Sequence, residues 1–214
     1  MLVILDWDGT VCNSEARIVS CMQRASGRAG LPVLEPAAVA NIIGLGLPEA
    51  ISELFPEACS EQRSMLREFY AEEWLDARAE PLPLFEGVLA TLDKLLGSGH
   101  QLAVATGKSR RGLNREFEEH GIGHLFVASR CADETASKPD PRMLHEILAE
   151  TGCGIEQAVM VGDTEYDLKM ALAAGMAAIG VSYGVHSRDR LGACRPGAII
   201  DRFEELLDWP PLVA

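Results

Sequence analysis

Five short apolar runs punctuate the chain: Leu2–Leu5, Leu102–Ala105, Leu125–Ala128, Ala158–Val161 and Ala177–Val181. Short continuous runs of this kind suit strands buried on both faces of a sheet. Between the later runs lie helix-like stretches, at Gly87–Leu96, Arg110–Glu119, Pro141–Thr151 and Glu165–Ala174. Strand–helix alternation predicts βαβ units and a parallel sheet, with right-handed crossovers laying helices on both faces. The expected class is α/β, a three-layer, Rossmann-like parallel sheet.

The first two runs break the rhythm. The interval from Leu5 to Leu102 is far longer than the roughly thirty residues of a βαβ unit. It reads as helical: Ile18, Cys21, Met22 and Ala25 recur at helical spacing, and Gly30-Leu31-Pro32 supplies a stop. Met65, Leu66, Phe69 and Tyr70 mark a further amphipathic helix, and Pro81 and Pro83 punctuate the return. Residues 1–13 and 82–214 are therefore expected to form the α/β core. Residues 14–81 are expected to form an inserted α-helical unit above the carboxyl end of the first strand.

Ligands of open α/β sheets bind beyond the carboxyl ends of the strands, so those ends carry the candidate chemistry. The first strand ends in Asp6 and Asp8, whose i, i+2 spacing points both carboxylates the same way. The second ends in Thr106-Gly107-Lys108-Ser109, a hydroxyl beside the free N–H groups of a helix start. The third leads to Ser137-Lys138-Pro139, in a chain whose lysines are only Lys94, Lys108, Lys138 and Lys169. The fourth ends in Gly162-Asp163, with Asp167 one helical turn on. Each has a plainer structural reading: an Asp-Gly turn, Ser109 as a helix cap, a solvated loop lysine, Asp163 as a helix cap. Their convergence on one edge of one sheet is what points to a site. Carboxylates sharing one cleft require a cation, and oxygen donors with room for water suit Mg²⁺. With a lysine and a hydroxyl, that ion would hold a phosphoryl group.

Composition narrows the partners. The formal charge of −13 over 214 residues disfavours nucleic acid and anionic membrane surfaces. No apolar run approaches the ~18 residues of a membrane span. Six cysteines without a C-x-x-C pair suit a reducing cytoplasm, each as a small packing residue. Gly44-x-Gly46 follows no expected strand, so it reads as a loop over the site rather than a dinucleotide fingerprint. Monomer and homodimer are both compatible with the chain.

DWDGT, VATGKS, SKPDP and GDTEYD, in this order and spacing, resemble the four motifs of the haloacid dehalogenase superfamily of phosphohydrolases. The helical interval is similar to the cap of its phosphoglycolate phosphatase-like branch. The resemblance implies that Asp6 is the nucleophile and Asp8 the general acid–base of an aspartyl-phosphate mechanism. It implies phosphate binding by Thr106, Gly107 and Lys138. It further implies Mg²⁺ held by Asp6, the Asp8 backbone carbonyl and Asp163, with Asp167 as ligand or support. Trp7 stands where Phe is usual, Cys12-Asn13 where Val-Asp is common, and Glu86 where Pro is frequent. These departures bear on substrate choice and leave the reacting groups in place.

Within that resemblance, Asp8 argues against a dehalogenase, since a halide needs no acid. The absence of lysine from residues 14–81 argues against a Schiff-base phosphonatase. The apolar Ile42–Leu47 segment disfavours a β-phosphoglucomutase-type mutase, with Arg17 as the residue that could restore that reading. A phospho-acceptor or idle signalling domain is the rival from another class. The expected activity is hydrolysis of a small phosphomonoester: phosphoglycolate, a sugar phosphate or an amino-sugar phosphate. Arg110 and Arg111 are candidates to meet a substrate carboxylate.

Overall fold

The computed structural model describes residues 1–76 and 81–213. Its centre is β1 (Leu2–Leu5), in a six-stranded sheet of order β3-β2-β1-β4-β5-β6. β2 (Gln101–Thr106) and β3 (Phe126–Cys131) lie to one side, and β4 (Ala158–Gly162), β5 (Ala177–Val181) and β6 (Ala198–Ile200) to the other. Every pairing is parallel; Leu2 sits opposite Gln101 on one flank and Ala158 on the other.

β1 is apolar throughout because both of its faces are covered. Val3 and Leu5 enter one core and Leu2 and Ile4 the opposite one, the two-residue period of a strand. Helix α5 (Val88–Gly97) sends Val88, Leu92 and Leu95 into the first core. There Leu113 of α6 (Arg110–His120) joins them. α7 (Arg142–Thr151) sends Met143, Leu144 and Ile147 into the second, beside Leu168 of α8 (Glu165–Ala174). Fully burying each such side chain stabilises the fold by roughly 1.5–3 kcal/mol.

Between β1 and α5 the described residues form α1 (Glu15–Arg28), α2 (Pro36–Ala40), α3 (Leu47–Leu54) and α4 (Ser60–Asp76). They close over their own cluster, including Met22, Ala25, Val39, Ile51, Phe55 and Leu66. α1 ends at Arg28, and Gly30, with φ +68°, lets Leu31 N donate to the Ser26 carbonyl (2.9 Å). Leu66 is buried as expected, whereas Met65 is 40% exposed. The outgoing and returning chains run side by side: Asn13 N donates to the Pro83 carbonyl (2.9 Å) and Phe85 N to that of Val11 (3.0 Å).

The third strand starts one residue later than its apolar run, because Gly123–Leu125 closes a 3₁₀ turn, and it continues to Cys131. β6, α9 (Arg188–Ala193) and α10 (Pro210–Val213) go beyond the expected elements; at three, six and four residues they are too short for a periodic signal. Apolar packing accounts for Cys12, Cys21 and Cys131, but Cys59 is exposed and Cys153 and Cys194 are half-buried; all six are free thiols. Among the described residues no helix is long and apolar enough to cross a membrane.

The helical segment touches the sheet edge through backbone. A Cβ on Gly107 would lie 2.4 Å from the Leu45 carbonyl oxygen and 2.5 Å from that of Gly44, so only glycine fits beneath this loop. Tyr166 Oη adds a hydrogen bond to the Asn41 carbonyl (3.0 Å). Gly107→Ala should cost about 1–3 kcal/mol, as overpacking against immovable backbone does. That lowers the thermal midpoint by about 2–4 °C per kcal/mol in a chain of this size. An unchanged midpoint would contradict the packing described.

Candidate active site

The site forms where the strand order reverses around β1. Asp6 N still donates to the Val161 carbonyl (2.9 Å), so the backbone extends the sheet by one residue beyond β1 before turning. Gly9 has φ +90°, and a Cβ there would sit 2.3 Å from Asp163 Oδ2. Glycine at this point lets the turn pass close to the end of the neighbouring strand β4.

Asp6 is fully buried. Its Oδ1 accepts from Lys138 Nζ at 2.5 Å, and its Oδ2, equally buried, has no hydrogen-bond partner. Lys138, 1% exposed, also donates to Asp167 Oδ1 at 2.6 Å. Asp167 Oδ2 accepts from Thr164 N (3.0 Å) and Thr164 Oγ1 (2.7 Å). The capping carboxylate of α8 is therefore Asp167, and the plainer reading of Asp163 as a helix cap does not hold. Asp163 instead accepts from Thr10 Oγ1 (2.9 Å) and Val185 N (2.8 Å). Carboxylate oxygens of Asp6, Asp163 and Asp167 lie within 4.8 Å of one another.

Burial sets the charge states. It pushes the Asp6 carboxyl well above the usual range, against the pull of Lys138 and with help from Asp167 and Asp163. Burial, then Asp167, pushes Asp163 up to about 7. Burial alone would lower Lys138, but Asp167 and Asp6 outweigh it and hold the ammonium charged. Three buried carboxylates thus face one ammonium, and one of their oxygens is orphaned. Hard oxygen donors with surplus negative charge fit a divalent cation.

Thr106 is fully buried, and its Oγ1 accepts from Lys108 N (3.1 Å), leaving the hydroxyl proton to donate. Ser109 caps α6 by accepting from Gly112 N, so the capping reading holds. Asp8 belongs to a different group. Its Oδ1 accepts from Ser14 Oγ (2.6 Å) and pairs with Lys108 Nζ (3.1 Å). Its carboxylate is not in the acidic cluster, which leaves the main-chain carbonyl as the donor it could offer there.

Lys108 is the residue that sequence reasoning missed. Its ammonium bridges Asp8 and Glu116 (2.9 Å) and lies 4.6 Å from the centre of the Trp74 ring on α4. Glu116 also accepts from Trp7 Nε1 at 2.5 Å, giving the indole a buried partner that the usual Phe would not require. A signal was present: Glu116 falls three residues after Leu113, on the buried face of α6, so it needed a cation. Arg110 is held by Glu134 (2.7 Å) and Ser129 Oγ (2.8 Å). Glu86 lines a separate cavity of about 270 Å³ with Phe85 and Tyr183. Above Asp6, Asp8 and Thr106 opens a chamber of about 790 Å³, roofed by the helical segment.

The family model for haloacid dehalogenase-like hydrolases matches residues 3–181. The chain belongs to the haloacid dehalogenase-like hydrolase family. It is 36% identical to a Dickeya dadantii protein named "Probable phosphatase IndB", over 96% of this chain and 91% of that one. It is 28% identical to the phosphoglycolate phosphatase of Vibrio cholerae, over 97% and 95%. The crystal structure of a hydrolase from Pseudomonas syringae superposes with a TM-score of 0.88 at 19% identity, over 97% of this chain and 96% of that one, which shows a shared fold.

Two outcomes follow for this family member. Lys108→Met strands Asp8 and Glu116 in a buried place and should cost roughly 3–5 kcal/mol. Lys108→Met with Glu116→Gln should recover part of that loss in a double-mutant cycle of thermal or urea unfolding. Additive losses would contradict the bridge. The Asp163 carboxyl at about 7 sets the second. A divalent cation must displace its proton, so affinity should climb as pH rises from about 6 to about 8. Calorimetric titration with Mg²⁺ alone reads it, and a pH-independent affinity would contradict a shared carboxylate site.

Proposed function

We propose that this enzyme is a Mg²⁺-dependent phosphatase that hydrolyses a small-molecule phosphomonoester through an aspartyl-phosphate. Its class is that of the phosphoric monoester hydrolases. The observation that carries the mechanism is the orphaned Asp6 Oδ2, buried beside Lys138 in a residue that lines the chamber together with Asp8 and Thr106. An unpaired buried carboxylate oxygen is costly unless it is reserved for a reacting partner.

Asp6 attacks phosphorus, a bond forms between its oxygen and the phosphoryl group, and the ester P–O bond breaks. Asp8 hands a proton to the departing alkoxide. It then takes a proton from the water that attacks phosphorus, the bond to Asp6 breaks, and inorganic phosphate leaves. Ser14 and Lys108 hold Asp8 in line for both transfers. Thr106, the Gly107 N–H and Lys138 receive the phosphoryl oxygens. Asp6, Asp163 and the Asp8 carbonyl would hold Mg²⁺, whose charge offsets that of the phosphoryl group, with Asp167 holding Lys138 beside them. Residues 14–81 act as a cap over this site, of which 77–80 lie outside the described residues. Six free thiols fit a cytoplasmic setting.

Release of p-nitrophenol from p-nitrophenyl phosphate should require Mg²⁺, stop in EDTA, and fall by ~10⁴-fold or more in Asp6→Asn, as loss of a nucleophile does. Turnover insensitive to EDTA, or largely retained in Asp6→Asn, would refute the mechanism. Asp8→Asn should abolish hydrolysis of alkyl phosphates while sparing part of the aryl rate; equal losses would remove Asp8 from the acid role.

A further inference from the structure

The wall that the cap presents to the chamber carries no charged side chain among the described residues: Ile18, Met22, Ile43, Leu47, Tyr70 and Trp74 represent it. Tyr70 and Trp74, one turn apart on α4, stack at 6.1 Å with their planes 26° apart. Lys108 lies over the Trp74 ring and pairs with Asp8, so this stacked pair adjoins the acid that faces the leaving oxygen.

Three of the cations that line the chamber are paired with carboxylates. Lys108 is shared by Asp8 and Glu116, Arg110 is bound to Glu134, and Arg115 is bound to Glu119. Arg17 lies over the Trp74 ring at 5.9 Å, and Arg111 is exposed on α6, where water screens it. A substrate carboxylate against the apolar wall would lose its hydration, with only the solvent-screened Arg111 left to meet it. The volume of about 790 Å³ falls in the range of roughly 300–1,000 Å³ typical of sites that enclose drug-sized ligands. A two-carbon acid would leave most of it unfilled.

We propose that the chamber selects phosphomonoesters whose leaving alcohol carries an apolar body the size of an aromatic ring, and discriminates against carboxylate-bearing esters such as phosphoglycolate. The proposal rests on the phosphatase reading and names the substrate class of that site. The ring packs on Tyr70 and Trp74, the phosphoryl group meets Asp6 and Thr106, and the ester oxygen faces Asp8.

The test compares alkyl esters, so that leaving-group reactivity does not rank them: 2-phenylethyl phosphate, ethyl phosphate and phosphoglycolate, with the full chain and Mg²⁺. We expect kcat/KM for the phenylethyl ester to exceed that for ethyl phosphate by at least ~10-fold, the factor that burying one phenyl-sized group supplies. Phosphoglycolate should fall below both. Trp74→Ala should raise KM for the phenylethyl ester, and Leu47→Lys, at a half-buried position, should move the preference toward phosphoglycolate. A second arm measures binding of 2-phenylethylphosphonate and phosphonoacetate, neither of which can be hydrolysed, by calorimetry; the first should bind at least ~10-fold more tightly. Phosphoglycolate turned over, and phosphonoacetate bound, as well as their phenyl counterparts would overturn the proposal while leaving the phosphatase intact. No turnover of any ester, p-nitrophenyl phosphate included, would refute the phosphatase reading, and the binding ratio would then decide the chamber's preference alone.

Discussion

The structure depends on one buried ammonium. Lys138 comes from the loop after β3, Asp6 from the end of β1 and Asp167 from the first turn of α8, and they meet with the lysine almost wholly out of water. Each charge would be prohibitive there without the others. The consequence is rigidity. The ammonium fixes one Asp6 oxygen, which orients the other, and Asp167 is fixed in turn by capping α8 through Thr164. A helix cap, an ion pair and the aim of the proposed nucleophile are one connected set of bonds.

The same principle operates twice at this sheet edge, at different depths. Around Asp6 the carboxylates outnumber the lysine, and burial holds Asp6 and Asp163 toward their protonated forms until a further cation arrives. Around Asp8, Lys108 bridges both carboxylates, Trp7 donates to Glu116, and the Trp74 ring lies against the ammonium. The first group is built to take up charge. In the second, each carboxylate already has the ammonium as a partner, which fits the proton-exchanging role proposed for Asp8. Glycines make both arrangements possible, because backbone at Gly9 and Gly107 passes where no side chain fits.

Much of this was legible in the sequence. All five apolar runs became strands, since a strand buried on both faces leaves a continuous apolar signature that short edge elements such as β6 do not. The residues expected at the four strand ends do converge, because a parallel sheet delivers its carboxyl ends to one side whatever the loops do. What escaped was pairing across long separations. Lys108 stood inside a quoted motif, yet its meaning depends on Glu116 one face of α6 away and on Trp74 in another part of the chain. Asp163 and Asp167 were both visible, but which one caps the helix is decided by side-chain direction, which spacing alone does not carry.

Asp6 is the residue proposed to receive phosphorus. The most direct test is to quench the enzyme during turnover with Mg²⁺ and an alkyl phosphate, reduce with borohydride, and sequence the N-terminal peptide by mass spectrometry. An acyl-phosphate at Asp6 is reduced to homoserine, so homoserine at position 6, dependent on substrate and absent with EDTA, is the result predicted here. Reduction at another carboxylate, or turnover with position 6 unaltered, would contradict it.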